Sequence, residues 1–189
     1  MGVKPVLPDL IAKELKILFI GINPGLRSAA IGHHFAGHSN RFWRLLTDSR
    51  LTPVLYQATE DQGILELGYG ITNIVPRPSA AASELTAAEF QAGAAVLRKL
   101  ILRYQPFVAA YVGKVVYQSL AGRREFAWGR QNESLFPGVI DFVLPNPSGL
   151  NRMPYPEQLK YYIALQTLIS KLRDSNPRLQ PASGLPPVL

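Results

Sequence analysis

Apolar residues come in short bursts along this chain, and proline or glycine turns punctuate them. Leu15-Lys16-Ile17-Leu18-Phe19-Ile20-Gly21-Ile22 is mostly apolar and stops at Asn23-Pro24-Gly25, the pattern of a buried strand closed by a turn. A loop is expected to about His38. Ser39-Asn40 can then cap a helix whose apolar positions are Phe42, Trp43, Leu45 and Leu46. A short helix is expected over about 59–67, and a second strand over 71–75 before Pro76-Arg77-Pro78. Thr86-Ala87-Ala88-Glu89 reads as a capping box. It opens a long helix to about Tyr104, with Phe90, Val96, Leu97, Leu100 and Ile101 as the apolar face, and Pro106 follows. Residues 107–112 form a third expected strand, Gly113-Lys114 opens a helix to about Leu120, and 122–137 reads as irregular. Residues 139–144 are the fourth strand, ended by Pro145-Asn146-Pro147-Ser148-Gly149, and 156–172 the last helix.

Strands and helices alternate, which predicts an α/β fold: a three-layer α/β/α sandwich around a mainly parallel four-stranded sheet. One domain is expected over 15–173, after an extension at 1–14. Residues 174–189 hold four prolines without periodicity and are expected to be a disordered tail. In open sheets of this class ligands bind beyond the carboxyl ends of the strands. Both Asn-Pro turns fall at such ends. Proline restricts the backbone of the residue before it, so each asparagine is held in one state.

Composition changes the picture in two ways. The chain has 189 residues, 47% hydrophobic, with 20 Lys and Arg against 13 Asp and Glu, a net charge of +7. That balance favours a polyanionic partner. There is no cysteine, which removes disulfides, thiolate zinc, Cys-bound iron–sulfur clusters and a cysteine nucleophile. The run Ile17–Ile22 is too short to span a membrane. Met1–Leu10 lacks an apolar signal core, so a cytoplasmic location, in the bacterial nucleoid, or a nuclear one is expected. His34 and His38 are four apart, but Gly32 and Gly37 argue against a helix there and no nearby carboxylate completes a ligand set. No metal and no cofactor is expected. Gly-Ile-Asn-Pro-Gly is also not the Gly-x-Gly-x-x-Gly dinucleotide fingerprint.

Gly21-Ile22-Asn23-Pro24-Gly25-Leu26, followed by His33-His34-Phe35 and Asn40-Arg41-Phe42-Trp43, resembles the first motif of the mismatch-specific uracil/thymine DNA glycosylases. Asn146-Pro147-Ser148-Gly149-Leu150-Asn151-Arg152 resembles their second motif, and Gly70-Ile71-Thr72-Asn73 and Gly113-Lys114-Val115-Val116-Tyr117 also fit. The similarity covers roughly 15–172, in order and spacing. It implies a monomeric enzyme of base excision repair that flips a pyrimidine mispaired with guanine out of double-stranded DNA and hydrolyses its N-glycosidic bond.

The resemblance also implies roles. Asn23, neutral and no strong base, would position the attacking water through its side-chain carbonyl. Such a site, lacking a carboxylate opposite the oxocarbenium-like sugar, should be slow. Phe35 would stack on the flipped base and Asn73 would meet its polar edge. Ile22, Gly25, His34 and Asn146 would complete the base pocket. Backbone N–H groups near Ile22–Gly25 could stabilise the departing base anion. Leu150 resembles an apolar wedge filling the vacated stack, with backbone groups of Ser148, Gly149 and Asn151 meeting the widowed guanine. Lys114, Arg152 and Ser148 would contact phosphates, and Arg27, Arg123 and Arg124 would add positive charge. Neither motif contains a lysine for a Schiff base, so a monofunctional glycosylase is expected. The alternatives are a non-catalytic module that recognises damaged DNA, and a nucleotide hydrolase using a histidine-bound metal.

Overall fold

The structure is a computed structural model, and it describes residues 7–176. Five strands form one sheet in the order β2-β1-β3-β5-β4. They are β1 (Ile17–Gly21), β2 (Tyr69–Asn73), β3 (Val108–Val112), β4 (Gly129–Arg130) and β5 (Ile140–Leu144). β2, β1, β3 and β5 run parallel, with Ile17 opposite Tyr69 and Val108, and Val108 opposite Ile140. β4 is short and antiparallel to β5. It is the strand that the four-strand expectation lacked. Two residues in a polar, aromatic stretch show no alternation to read.

Helices cover both faces: α1 (Leu26–Ile31), α2 (Phe42–Asp48), α3 (Ala87–Tyr104), α4 (Lys114–Ala121) and α5 (Tyr155–Ser175). A 3₁₀ helix spans Ala58–Leu67 and a short one Ala82–Glu84. Alternate residues of each strand enter different cores, as the two-residue side-chain period requires. Ile17, Phe19, Val108, Ala110, Phe142 and Leu144 pack with Phe42, Leu45 and Leu46 of α2 and Tyr162 and Leu165 of α5. Leu18, Ile20, Ala109, Tyr111 and Val143 pack with Leu97 and Ile101 of α3 and Val116 and Leu120 of α4. With both faces covered, the strands are almost wholly buried, which explains their unbroken apolar runs.

Several local expectations shift. The loop after β1 contains α1, whose Gly25 N-cap and left-handed Gly32 C-cap enclose only six residues, too few for a hydrophobic period to register. β2 sits two residues earlier than expected, while Ile74 and Val75 still donate backbone bonds to Gly21 and Ile22 at 2.9 Å each. Arg41, not Ser39 or Asn40, is the N-cap of α2, and Asn40 Oδ1 instead accepts from the Phe42 N–H at 2.9 Å. Val96 is 66% exposed, so it does not belong to the α3 core face. Gly93, Ala94, Leu97 and Ile101 form the buried stripe instead. A Cβ on Gly93 would collide with the Ile74 carbonyl, so α3 presses directly on the chain leaving β2. Residues 177–189 of the expected tail lie outside the described residues. Among those described, no helix is long and apolar enough to cross a membrane.

Candidate active site

Because four strands are parallel, their carboxyl ends gather at one edge of the sheet. A cleft of about 810 Å³ opens there. The chain passes from β1 outward to β2, then back across to β3. The cleft therefore sits over the point where the strand order reverses, as expected for doubly wound sheets. Its wall takes Ile22, Asn23 and Gly25 from the end of β1, Asn73 from β2, Gly113 and Lys114 after β3, and Asn146 and the residues from Ser148 to Asn151 after β5. His34 and Phe35 enter from the loop after α1.

Asn23 is fixed by its amide nitrogen. Nδ2 donates to the Arg77 carbonyl at 3.0 Å, to Ser79 Oγ at 2.8 Å and, more weakly, to the Pro24 carbonyl at 3.2 Å. Carbonyl oxygens can only accept, so the amide orientation follows from chemistry. Ser79 Oγ donates to the Ala81 carbonyl at 2.8 Å, which turns a lone pair toward Asn23. The Asn23 side-chain oxygen is left as an acceptor in the cleft wall.

Phe35 is held differently. Its φ is +52°, a left-handed conformation that costs a residue with a Cβ roughly 1–2 kcal/mol. The neighbouring backbone compensates. The His34 N–H donates to Asp61 Oδ2 at 2.7 Å, the Ala36 N–H to Ser28 Oγ at 3.0 Å, and Arg27 Nε to the Ala36 carbonyl at 2.9 Å. Phe42 of α2 stacks on the ring at 3.8 Å between centroids and 17° between planes. One face is thus backed by the core, and the other is the face a planar ligand could meet. Phe35 and the Asn73 amide both crowd Gly21, where a Cβ would lie close to Asn73 Oδ1 and 3.6 Å from Phe35 Cζ.

A family model for the uracil DNA glycosylase superfamily matches residues 8–167. The chain belongs to the uracil DNA glycosylase superfamily. Among solved structures, it is similar in fold to a protein from Methanosarcina acetivorans named as a candidate uracil DNA glycosylase. The TM-score is 0.56 at 17% identity, covering 86% of this chain and 98% of that one. The superfamily makes this a DNA glycosylase, a hydrolase acting on uracil in DNA.

In this glycosylase the second motif lines the same cleft as Asn23. Asn146 Oδ1 accepts from the Ser148 N–H at 2.9 Å, and the Asn146 carbonyl accepts from Asn151 Nδ2 at 2.7 Å. Ser148 Oγ in turn accepts from the Leu150 N–H at 3.3 Å. These turns hold Leu150 outward, 76% exposed. A Cβ on Gly149 would strike the Ser39 side chain, so glycine is needed for close approach of the motif to the loop before α2. The Arg41 N–H donates to the Pro147 carbonyl at 2.9 Å, a second tie between these segments.

His34 is buried and lines the cleft. Its Nε2 lies 2.9 Å from the Pro8 carbonyl, so that nitrogen carries the proton and Nδ1 is an acceptor. Burial lowers its pKa below the usual imidazole value, against smaller opposing effects of Pro8, Asp61 and Asp9. The ring is therefore neutral at pH 7. The segment from His33 to His38 is not helical, so His34 and His38 do not share a helix face. Lys114 lines the cleft, with Nζ 3.2 Å from the Phe126 carbonyl and over the Trp128 ring at 4.9 Å. Arg152 is exposed and stands outside the cleft wall, as do Arg123 and Arg124, whereas the other expected site residues line it. Arg123 also points elsewhere, to the Tyr117 hydroxyl at 3.0 Å and Glu133 at 3.5 Å. Ser39, Ser79 and Trp128 also belong to the wall, where the sequence expectations above give them no place. Ser79 follows a strand's carboxyl end and a Pro-x-Pro stop, so like Asn23 it belongs to a prolyl segment beyond a parallel strand.

Proposed function

We propose that this protein is a monofunctional glycosylase that removes uracil, and related pyrimidines such as thymine, from mispairs with guanine in double-stranded DNA. The observation that carries this reading is the Asn23 amide, whose nitrogen is committed to the protein while its oxygen has no protein partner among the described residues, in a residue that lines the cleft. A water donating to that oxygen would be aimed at the anomeric carbon of a nucleotide drawn into the cleft. The oxocarbenium-like sugar makes placement matter more than deprotonation. No carboxylate appears among the described residues lining the cleft, which fits a slow enzyme whose selectivity comes from base flipping.

The other roles follow from position. Phe35 offers a ring face to the base, and Asn73 offers amide donors and an acceptor to its edge. Leu150 would fill the vacated stack, while Ser148, Gly149 and Asn151 would present backbone groups to the unpaired guanine. Flipping costs a few kcal/mol and least at a mismatch. Lys114 would meet a phosphate, and Arg152, at the outer rim, would do so only beyond the cleft. The enzyme would act as a monomer in the compartment that holds the DNA.

The test uses labelled G·U, G·T and A·U duplexes and a U-containing single strand, with wild type and Asn23→Ala. Wild type is expected to excise from G·U fastest and to leave an abasic strand uncleaved until alkali is added. Asn23→Ala should bind the G·U duplex yet lose most excision. Binding without turnover by the wild type would favour a damage-recognising module instead. Wild-type rates by Asn23→Ala would remove Asn23 from the chemistry.

A further inference from the structure

Arg77 lies outside the cleft wall, yet its two ends belong to two different networks. Its backbone carbonyl accepts from Asn23 Nδ2 at 3.0 Å. Its guanidinium forms a two-pronged bridge to Glu89, Nε to Oε1 at 2.5 Å and Nη2 to Oε2 at 3.1 Å, and Nη2 also donates to the Glu84 carbonyl at 2.9 Å. Glu89 is the third residue of α3 and already closes the helix cap. Its Oε2 accepts from the Thr86 N–H at 2.8 Å and from Thr86 Oγ1 at 3.0 Å. Glu84 Oε1 accepts from the Ala81 N–H at 2.8 Å, and the Ala81 carbonyl accepts from Ser79. Residues 76–81 contain no helix or strand, and beyond one backbone tie, the Ser79 N–H to the Pro24 carbonyl at 3.2 Å, their shape rests on these side chains and on Pro76 and Pro78.

We propose that Arg77 is a positioning residue for Asn23, and that its fork onto Glu89 ties the catalytic amide to the first turn of α3. The inference rests on the reading of Asn23 given above. α3 is a firm anchor, because Gly93 brings it onto the Ile74 carbonyl without room for a Cβ. An exposed ion pair ordinarily contributes little to stability. This one acts through geometry: a paired fork fixes orientation as well as distance, and small displacements of a group that aims a reactant lower rates steeply. The same fork, with the Thr86 bonds, holds the Glu89 carboxyl down at about 2, so the lock stays charged throughout the pH range of an assay.

Single-turnover excision from a G·U duplex tests it, with burst amplitude reporting the folded, active fraction and equilibrium binding measured in parallel. Arg77→Ala should lower the excision rate constant about tenfold with full amplitude and unchanged duplex affinity. Arg77→Lys, which keeps the charge but not the fork, should recover only part. Glu89→Gln keeps a capping residue at its position and should slow excision less than Arg77→Ala. In the Asn23→Ala background, Arg77→Ala should add nothing, because both act through one amide. Arg77→Ala with a wild-type rate, or a loss matched by amplitude or persisting in the Asn23→Ala background, overturns the lock while leaving Asn23 in place. A fully active Asn23→Ala overturns the reading of Asn23 and the lock together.

Discussion

Two Asn-Pro turns line this cleft, and they use the same side chain in opposite senses. In the first, Asn23 spends its amide hydrogens on a segment more than fifty residues away, at Arg77 and Ser79. Its oxygen remains for the cleft. In the second, Asn146 spends its oxygen on its own turn, at the Ser148 N–H. The first turn is built to present an acceptor, and the second to hold a loop in shape. A dipeptide does not define a role; the partners of each amide atom do.

The comparison can be broken experimentally. Asn23→Ala should lower the excision rate constant by about 10²–10³, the scale for removing one positioned polar group, and leave G·U duplex affinity intact. Gly149→Ala should act on the other side. Its Cβ meets the Ser39 side chain, so the second turn must move, and duplex affinity should fall on the order of tenfold, by roughly the 1–3 kcal/mol of an overpacked site. Ser39→Gly in the same protein should recover part of that loss, measured by fluorescence anisotropy. Asn146→Ala removes one local bond, so affinity should weaken by roughly 3–10-fold while the rate on bound duplex stays the same. Ser79→Ala removes one of the acceptors of Asn23, so the rate should fall by only about threefold with affinity unchanged. If Asn146→Ala slowed chemistry and Ser79→Ala weakened binding, the contrast between the turns would be wrong.

The smallest effect concerns pH. Burial lowers the pKa of His34 below its usual 6.5. The unfolded chain then takes up a proton near 6.5 that the folded chain refuses. The contribution of His34 to stability is complete above that value and declines as pH falls through it toward the lower folded pKa. Melting temperature should therefore drop on acidification below about pH 6.5, and His34→Gln should flatten that part of the curve. Asp9 acts in the other sense at lower pH, since burial raises its pKa above 3.8.

Much of this could be read from the chain alone because parallel strands buried on both faces leave long apolar runs, and prolyl turns mark where they stop. The succession of β1, β2, β3 and β5 came from such signals, the capping box of α3 from the spacing of Thr86 and Glu89, and the pairing of the two motifs from the family resemblance. What could not be read was set by contacts across sequence. β4 owes its place to pairing with Phe142 and Val143, not to its own two residues. Val96 shares the apolar character of Leu97, and only the direction from which the sheet meets α3 separates them. Arg152 follows the motif like its neighbours, yet a step past Asn151 takes it out of the cleft. The partners of the Asn23 amide lie far along the chain, so no spacing rule points to them.

Leu150 is the most exposed of the large apolar side chains among the described residues, and hydrogen bonds within its own turn keep it there. An oily finger held in water is an unfavourable state stored in the free enzyme. Sheltering a leucine fully returns roughly 1.5–3 kcal/mol, similar in size to the few kcal/mol that unstacking a base requires. On the proposed reading, insertion and extrusion nearly cancel. Whichever pair is already weakest would then tip the balance, so discrimination could arise before any atom of the base is touched.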